Sequence, residues 1–149
     1  MVSWKFKSWR PDGKSKTVVT EWYKAQNVYV RETFKARLRY LRGQPIANWT
    51  RPYVAPLRGG KKGDSKSCNG LWEIRFEVHN VQYRPIGHIS GDGEFTIVAF
   101  AKEIGGNLDP PSVCAIAKNR IADIKNKPDN VTEWRFERES QSRQGNTRR

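Results

Sequence analysis

Five polar residues in one short stretch have types that could handle a phosphate. Between Gly70 and Lys102 stand Glu73, Arg75, Arg84, His88 and Lys102. Arginine and lysine can hold a phosphoryl group and stabilise charge that develops on it. A histidine can titrate near neutral pH as acid or base. Glutamates beside arginines have two readings. They relieve repulsion in a surface ion-pair network, or they form part of a site. His79 reads as a turn residue.

The surrounding pattern brings these residues together. GLWEIRFEV, VQYRPIGHI and EFTIVAFAK alternate apolar and polar residues, with HN and SGDG between them. This is the pattern of a three-stranded antiparallel meander over about 71–78, 81–89 and 94–102. With His79-Asn80 as a two-residue loop, Val78 faces Val81, Glu77 faces Gln82, Arg75 faces Arg84 and Glu73 faces Ile86. Opposed residues share a face, and like charges placed there cost up to about 1 kcal/mol. The expected core face carries Trp72, Ile74, Phe76, Val78 and Tyr83. The arginine face is expected to be wet.

The second hairpin has two registers. A four-residue loop puts Phe95, Ile97, Ala99 and Ala101 on the arginine face. A three-residue loop over 91–93, with Gly93 at positive φ, instead brings Thr96, Val98, Phe100 and Lys102 there. The second is favoured because it buries the smoother apolar set and leaves Lys102 wet.

Other elements flank the meander. Residues 20–42 read as a helix capped by Thr20, with Tyr23, Val30, Phe34, Leu38 and Leu41 on one face. Lys24, Arg31, Lys35, Arg39 and Arg42 lie off that face. Residues 110–127 read as a second helix, capped by Asp109 and carrying Val113, Ile116, Ala117, Ile121 and Ile124. In 131–136, VTEWRF offers a short strand or packs on the sheet. Residues 1–17 are read as a basic extension in which Trp4 and Phe6 alternate with lysines. An edge strand is the favoured reading, and base-stacking aromatics the other. The expected fold is α+β, as a single domain over 1–136. Residues 137–149 are expected to be a disordered charged tail.

The chain has 149 residues and a net charge of +13. Residues 1–67 hold 16 Lys/Arg against 4 Asp/Glu, while 68–149 hold 12 against 11. The basic surface therefore belongs mainly to the first half. It implies a polyanionic partner, nucleic acid first and an acidic protein second. The loop LRGGKKGDSKSCNG is not a Walker loop. Its Arg58, Lys61, Lys62 and Lys66, with Lys35 and Arg39 of the helix, are the expected RNA contacts. Cys68 and Cys114 lack metal-ligand spacing and are expected to be reduced thiols. No apolar run or signal core is seen, so a soluble cytoplasmic protein with no membrane association is expected.

Taken in order, Leu57-Arg58-Gly59-Gly60, Gly70 to Phe76, Tyr83-Arg84, Phe100 to Lys102 and Ala117 to Arg120 resemble the RelE/HigB superfamily of toxins, closest to its phage-associated branch. The resemblance covers about residues 20–127. It implies a RelE-like fold and the toxin component of a type II toxin–antitoxin system. The implied activity is ribosome-dependent endoribonuclease cleavage of mRNA, without metal or other cofactor. The implied partners are mRNA on the ribosome and a cognate antitoxin, expected to be a helix-turn-helix protein. By position Arg75 and Arg84 match the family's strand arginines, Lys102 its basic residue at the last sheet strand, and Glu73 the Glu of its Trp-Glu-Leu/Ile-Arg motif. Pro85 and Glu103 depart from its pattern. Alternatives are a non-catalytic RNA or ribosome binder on the same scaffold, and a gyrase-directed toxin of a related branch.

Overall fold

The structure is a computed structural model that describes residues 2–57 and 68–135. Its architecture is α+β: among the described residues, three α-helices and eight strands in one mixed sheet. The strands are β1 Lys5–Trp9, β2 Val54–Pro56, β3 Trp72–Ile74, β4 Phe76–Val78, β5 Val81–Gly91, β6 Glu94–Ile104, β7 Asn107–Asp109 and β8 Val131–Glu133. The helices are α1 Val18–Ala25, α2 Val28–Arg42 and α3 Val113–Asn126. The sheet runs β2-β3-β5-β6-β1-β8, with β4 beside β5 and β7 beside β6.

The meander is present, and its first hairpin has the expected register. His79 and Asn80 both take positive φ, as a tight two-residue turn requires. Val78 opposes Val81 and Glu77 opposes Gln82; further along, Glu73 opposes Ile86. The ladder is interrupted opposite Arg84 and Pro85. Proline has no N–H to donate there. Arg75 donates its own N–H to the Tyr53 carbonyl at 2.9 Å instead.

The second hairpin keeps neither expected register throughout. Gly91 opposes Glu94 across a tight Asp92-Gly93 turn with Gly93 at positive φ, and after a first shift at Ser90 His88 and Ile89 oppose Thr96 and Phe95 in the register of the three-residue loop. The pairing then slips between Ile86 and Gly87, leaving Val98 as the extra residue. Beyond this bulge Arg84 opposes Ala101, Tyr83 opposes Lys102 and Gln82 opposes Glu103. A one-residue slip exchanges the faces. Lys102 therefore lies on the opposite face from Arg84, contrary to the expected placement.

Further expectations are corrected, among them the second expected helix, which begins at Val113 rather than 110, with Asp109 ending β7 instead of capping it. Residues 1–17 are no appended extension, because β1 lies inside the sheet, parallel to β6 and antiparallel to β8. Trp4 and Phe6 belong to the core. The wholly antiparallel sheet is thus a mixed one. The expected 20–42 helix is two helices. Thr17 caps α1, accepting from the Thr20 N–H at 3.1 Å, and Asn27 caps α2, accepting from Val30 at 3.0 Å. Finally, Cys68 and Cys114 are joined in a disulfide rather than being free thiols.

Apolar clusters lie on both sides of the sheet. Val19, Phe34, Leu38 and Leu41 of the first two helices pack with Ile74, Phe76, Phe95 and Ile97. Val113, Cys114 and Ala117 of α3 pack with Ile86, Val98, Ala99 and Ala101. The arginine face is therefore partly roofed, because the bulge turns Ala99 and Ala101 toward α3. Among the described residues, no helix is long and apolar enough to cross a membrane.

Candidate functional site

Glu73, Arg75, Arg84 and Glu103 form one ion network. Arg84 is 2% exposed and Glu73 4%. Arg84 Nε donates to Glu103 Oε1 at 3.0 Å and lies 3.8 Å from Glu73 Oε1. Its Nη1 donates to the Tyr83 carbonyl at 2.9 Å, and its Nη2 to Gln82 Oε1 at 3.3 Å. Arg75 Nη1 donates to Glu73 Oε2 and is 3.8 Å from Glu103 Oε1. The two arginines do stand side by side, and two carboxylates offset their charge.

The arginines differ in access. Arg84 is enclosed, and its bonds are made within the protein. Arg75 is half-buried and lines an open cleft of about 890 Å³. Glu73, Glu103, Trp49, Trp72 and Arg51 line the same cleft. Arg75 Nε and Nη2 have no partner among the described residues. A guanidinium carries five N–H donors, so Arg75 keeps capacity for an incoming anion.

The backbone at Arg75 explains why this side chain reaches the cleft. Its N–H goes to Tyr53, and its carbonyl accepts from Arg37 Nε at 2.9 Å. Both peptide groups are drawn toward α2 and the Tyr53 turn. Arg37 also lies over the Tyr53 ring, 4.7 Å from its centroid. Burial pulls the Arg37 guanidinium below its usual range, and nearby Tyr53 and Tyr40 oppose that pull.

The other expected site residues are dispersed. Lys102 is exposed, its amine 5.8 Å from the Tyr83 ring centroid. His88 opposes Thr96 on the turn side of the bulge and takes no part in the four-residue network. Burial lowers its imidazole below the usual range, against a raising influence from Glu94. The cluster of Arg75, Arg84 and Lys102 is thus not assembled. Its place is taken by Arg75 and Arg84 with two glutamates.

Among the expected RNA contacts, Arg39 is exposed on α2. Lys35 is instead buried, with its amine 2.9 Å from Glu32 Oε2. A long lysine stem can lie along apolar surface while its head finds a partner. Arg58, Lys61, Lys62 and Lys66 lie outside the described residues, as does the 137–149 tail.

Sequence reasoning did not include Glu103, Arg51 or Trp72 in the site. Glu103 was legible through Gly87, since a glycine inside a strand pattern signals a bulge or a close backbone approach. A Cβ on Gly87 would stand 2.1 Å from the Thr96 carbonyl oxygen. A bulge at Gly87 puts Glu103, not Lys102, beside Arg84. Arg51 and Trp72 depend on the loop before β2, for which no local pattern speaks. Compared with known proteins, the chain matches no family model, no curated relative and no solved structure.

Proposed function

We propose that this chain binds RNA and that the cleft beside Arg75 receives part of it. The carrying observation is the presence of Arg51 and Arg75 with Trp72 on an open cleft, in a chain of net charge +13. Guanidinium groups hold phosphates, and an indole face offers stacking to a base. Exposed Lys5, Lys14, Lys16, Lys118 and Lys125 add long-range attraction for a polyanion.

A narrower second reading is the RelE-like, cytoplasmic toxin that cleaves ribosome-bound mRNA and is neutralised by a helix-turn-helix antitoxin. It is favoured by the two carboxylates that share the cleft with Arg75. In this reading the RNA 2′-hydroxyl attacks the adjacent phosphorus. Glu103, the more open carboxylate, takes its proton. The P–O5′ bond breaks, solvent protonates the leaving oxygen, and Arg75 stabilises the charge on the phosphoryl oxygens. Arg84 is a positioning residue behind Glu103, and Lys102 and His88 have no part.

One preparation tests both readings. Full-length protein is titrated against labelled single-stranded RNA at rising salt, then added to a translation extract with and without ribosomes. RNA binding predicts a log–log salt slope of about −0.7 per phosphate contact, and weaker binding by Arg75→Ala. Binding without transcript cleavage removes the toxin reading. Absence of salt-sensitive binding removes both.

A further inference from the structure

One face of α2 keeps two tyrosines outside the core. Tyr29, Thr33, Arg37 and Tyr40 follow at intervals of four, four and three residues. That spacing aligns them along one side of a helix. The line is about 16 Å long, at 1.5 Å per residue. Its tyrosines remain outside the core: Tyr29 is 62% exposed and Tyr40 39%, and neighbouring Val28 is 51%. Each tyrosine offers a planar, amphipathic ring to a partner at low cost in conformational entropy.

The line is also held in place. Tyr29 meets the His79 ring edge-on, with centroids 5.3 Å apart. Tyr40 lies against Tyr53, with centroids 4.4 Å apart, and Arg37 covers Tyr53. Arg37 is fixed to the Arg75 carbonyl, and Tyr53 accepts the Arg75 N–H. The aromatic line therefore ends where the arginine-lined cleft begins.

We infer that this line is a stacking track for single-stranded RNA, with bases against Tyr29 and Tyr40 and the backbone led toward Arg75. The inference rests on the RNA-binding reading and deepens it by specifying single strands. Duplex RNA keeps its bases stacked inside and offers tyrosine faces nothing to stack on. A tyrosine ring accepts any base, so the track has no strong sequence preference. Charge complementarity favours a polyanion, and the tyrosines favour one whose bases are splayed.

The test uses the full chain, Tyr40→Ala and Tyr29→Ala, with thermal unfolding checked for each. The probes are a labelled uridine 12-mer, a 12-base-pair RNA duplex, heparin as a polyanion without bases, and poly-glutamate. The native chain is expected to prefer the single strand to the duplex. Each variant should lose roughly fivefold to a hundredfold in single-strand affinity, the range of one stacked base. Heparin affinity and the salt slope should stay within about twofold, since phosphate contacts set both. Equal losses for RNA and heparin, or no loss for RNA, overturn the track while leaving RNA binding intact. Poly-glutamate bound as tightly as RNA and lost in parallel would make the line a protein-docking face and also overturn it. If the native chain binds neither RNA nor heparin, the RNA-binding reading fails and takes the track with it.

Discussion

Arg84 illustrates how burial changes the meaning of a residue. Read from the alternation of its strand, it is a charge on a wet face. In the fold it is enclosed, bonded to Glu103, Gln82 and the Tyr83 carbonyl. Removing one partner of a buried ion pair leaves the other desolvated and uncompensated. Arg84→Ala should therefore destabilise the protein by about 3 kcal/mol, the low end for such pairs because Glu103 keeps a 30% exposed side chain. Urea unfolding of Arg84→Ala measures this directly. The double variant Arg84→Met, Glu103→Leu should recover most of the loss, since an apolar replacement leaves no orphaned charge. A native-like midpoint for Arg84→Ala would mean that the pair contributes little. Any activity lost in Arg84→Ala must accordingly be corrected for unfolding. Arg75→Ala would likewise strip buried Glu73 of its nearest partner, so Arg75→Lys, which keeps the charge and gives up the fork of donors, is the cleaner probe of function.

At the scale of elements, the bulge decides which side chains meet. Gly87 faces the Thr96 carbonyl so closely that a methyl group cannot enter without moving backbone. Gly87→Ala should cost about 1–3 kcal/mol, the range for overpacking a tight site. It should also disturb the pairing beyond the bulge, where Glu103 reaches Arg84. Amide exchange across Gln82–Ile86 is the sensitive readout, and faster exchange there with an intact β1 is the expected pattern. Unchanged exchange and stability would show that the strand shifts at no cost. The same element shows what could be read in advance. Period-two alternation and the turn residues at His79-Asn80 and Gly93 located the hairpins, because those signals are local. The insertion of β1 between β6 and β8 is non-local, and no pattern in Lys5–Trp9 distinguishes an interior strand from an edge. The break between α1 and α2 was partly legible, since Asn27 is a good helix cap. The long apolar stripe on either side of Asn27 obscured it.

At the scale of the whole molecule, the disulfide bears on where and how the chain works. Cys114 is a buried residue at the start of α3, and Cys68 follows the basic loop. The Leu57 N–H donates to the Leu71 carbonyl at 2.8 Å, so backbone and covalent bonds both tie the two ends of that loop to the body of the protein. Sequence spacing could not pair these cysteines, because contact across 46 residues depends on how α3 packs over β6. Closing a loop of that length in the unfolded chain corresponds to about 4 kcal/mol of stability in the chain-entropy account. Reducing compartments hold such thiols open, whereas oxidising ones keep the bond. A protein that works on ribosomes would meet the reducing case and have to remain folded without the bond. Protein purified without reductant should thus have no free thiols on alkylation. Dithiothreitol, or Cys68→Ser with Cys114→Ser, should lower the unfolding midpoint. Identical midpoints for the oxidised and reduced chains would show that packing around α3 suffices. Unfolding on reduction would show that the chain depends on the bond and would count against a cytoplasmic toxin, while leaving RNA binding by the oxidised protein untouched.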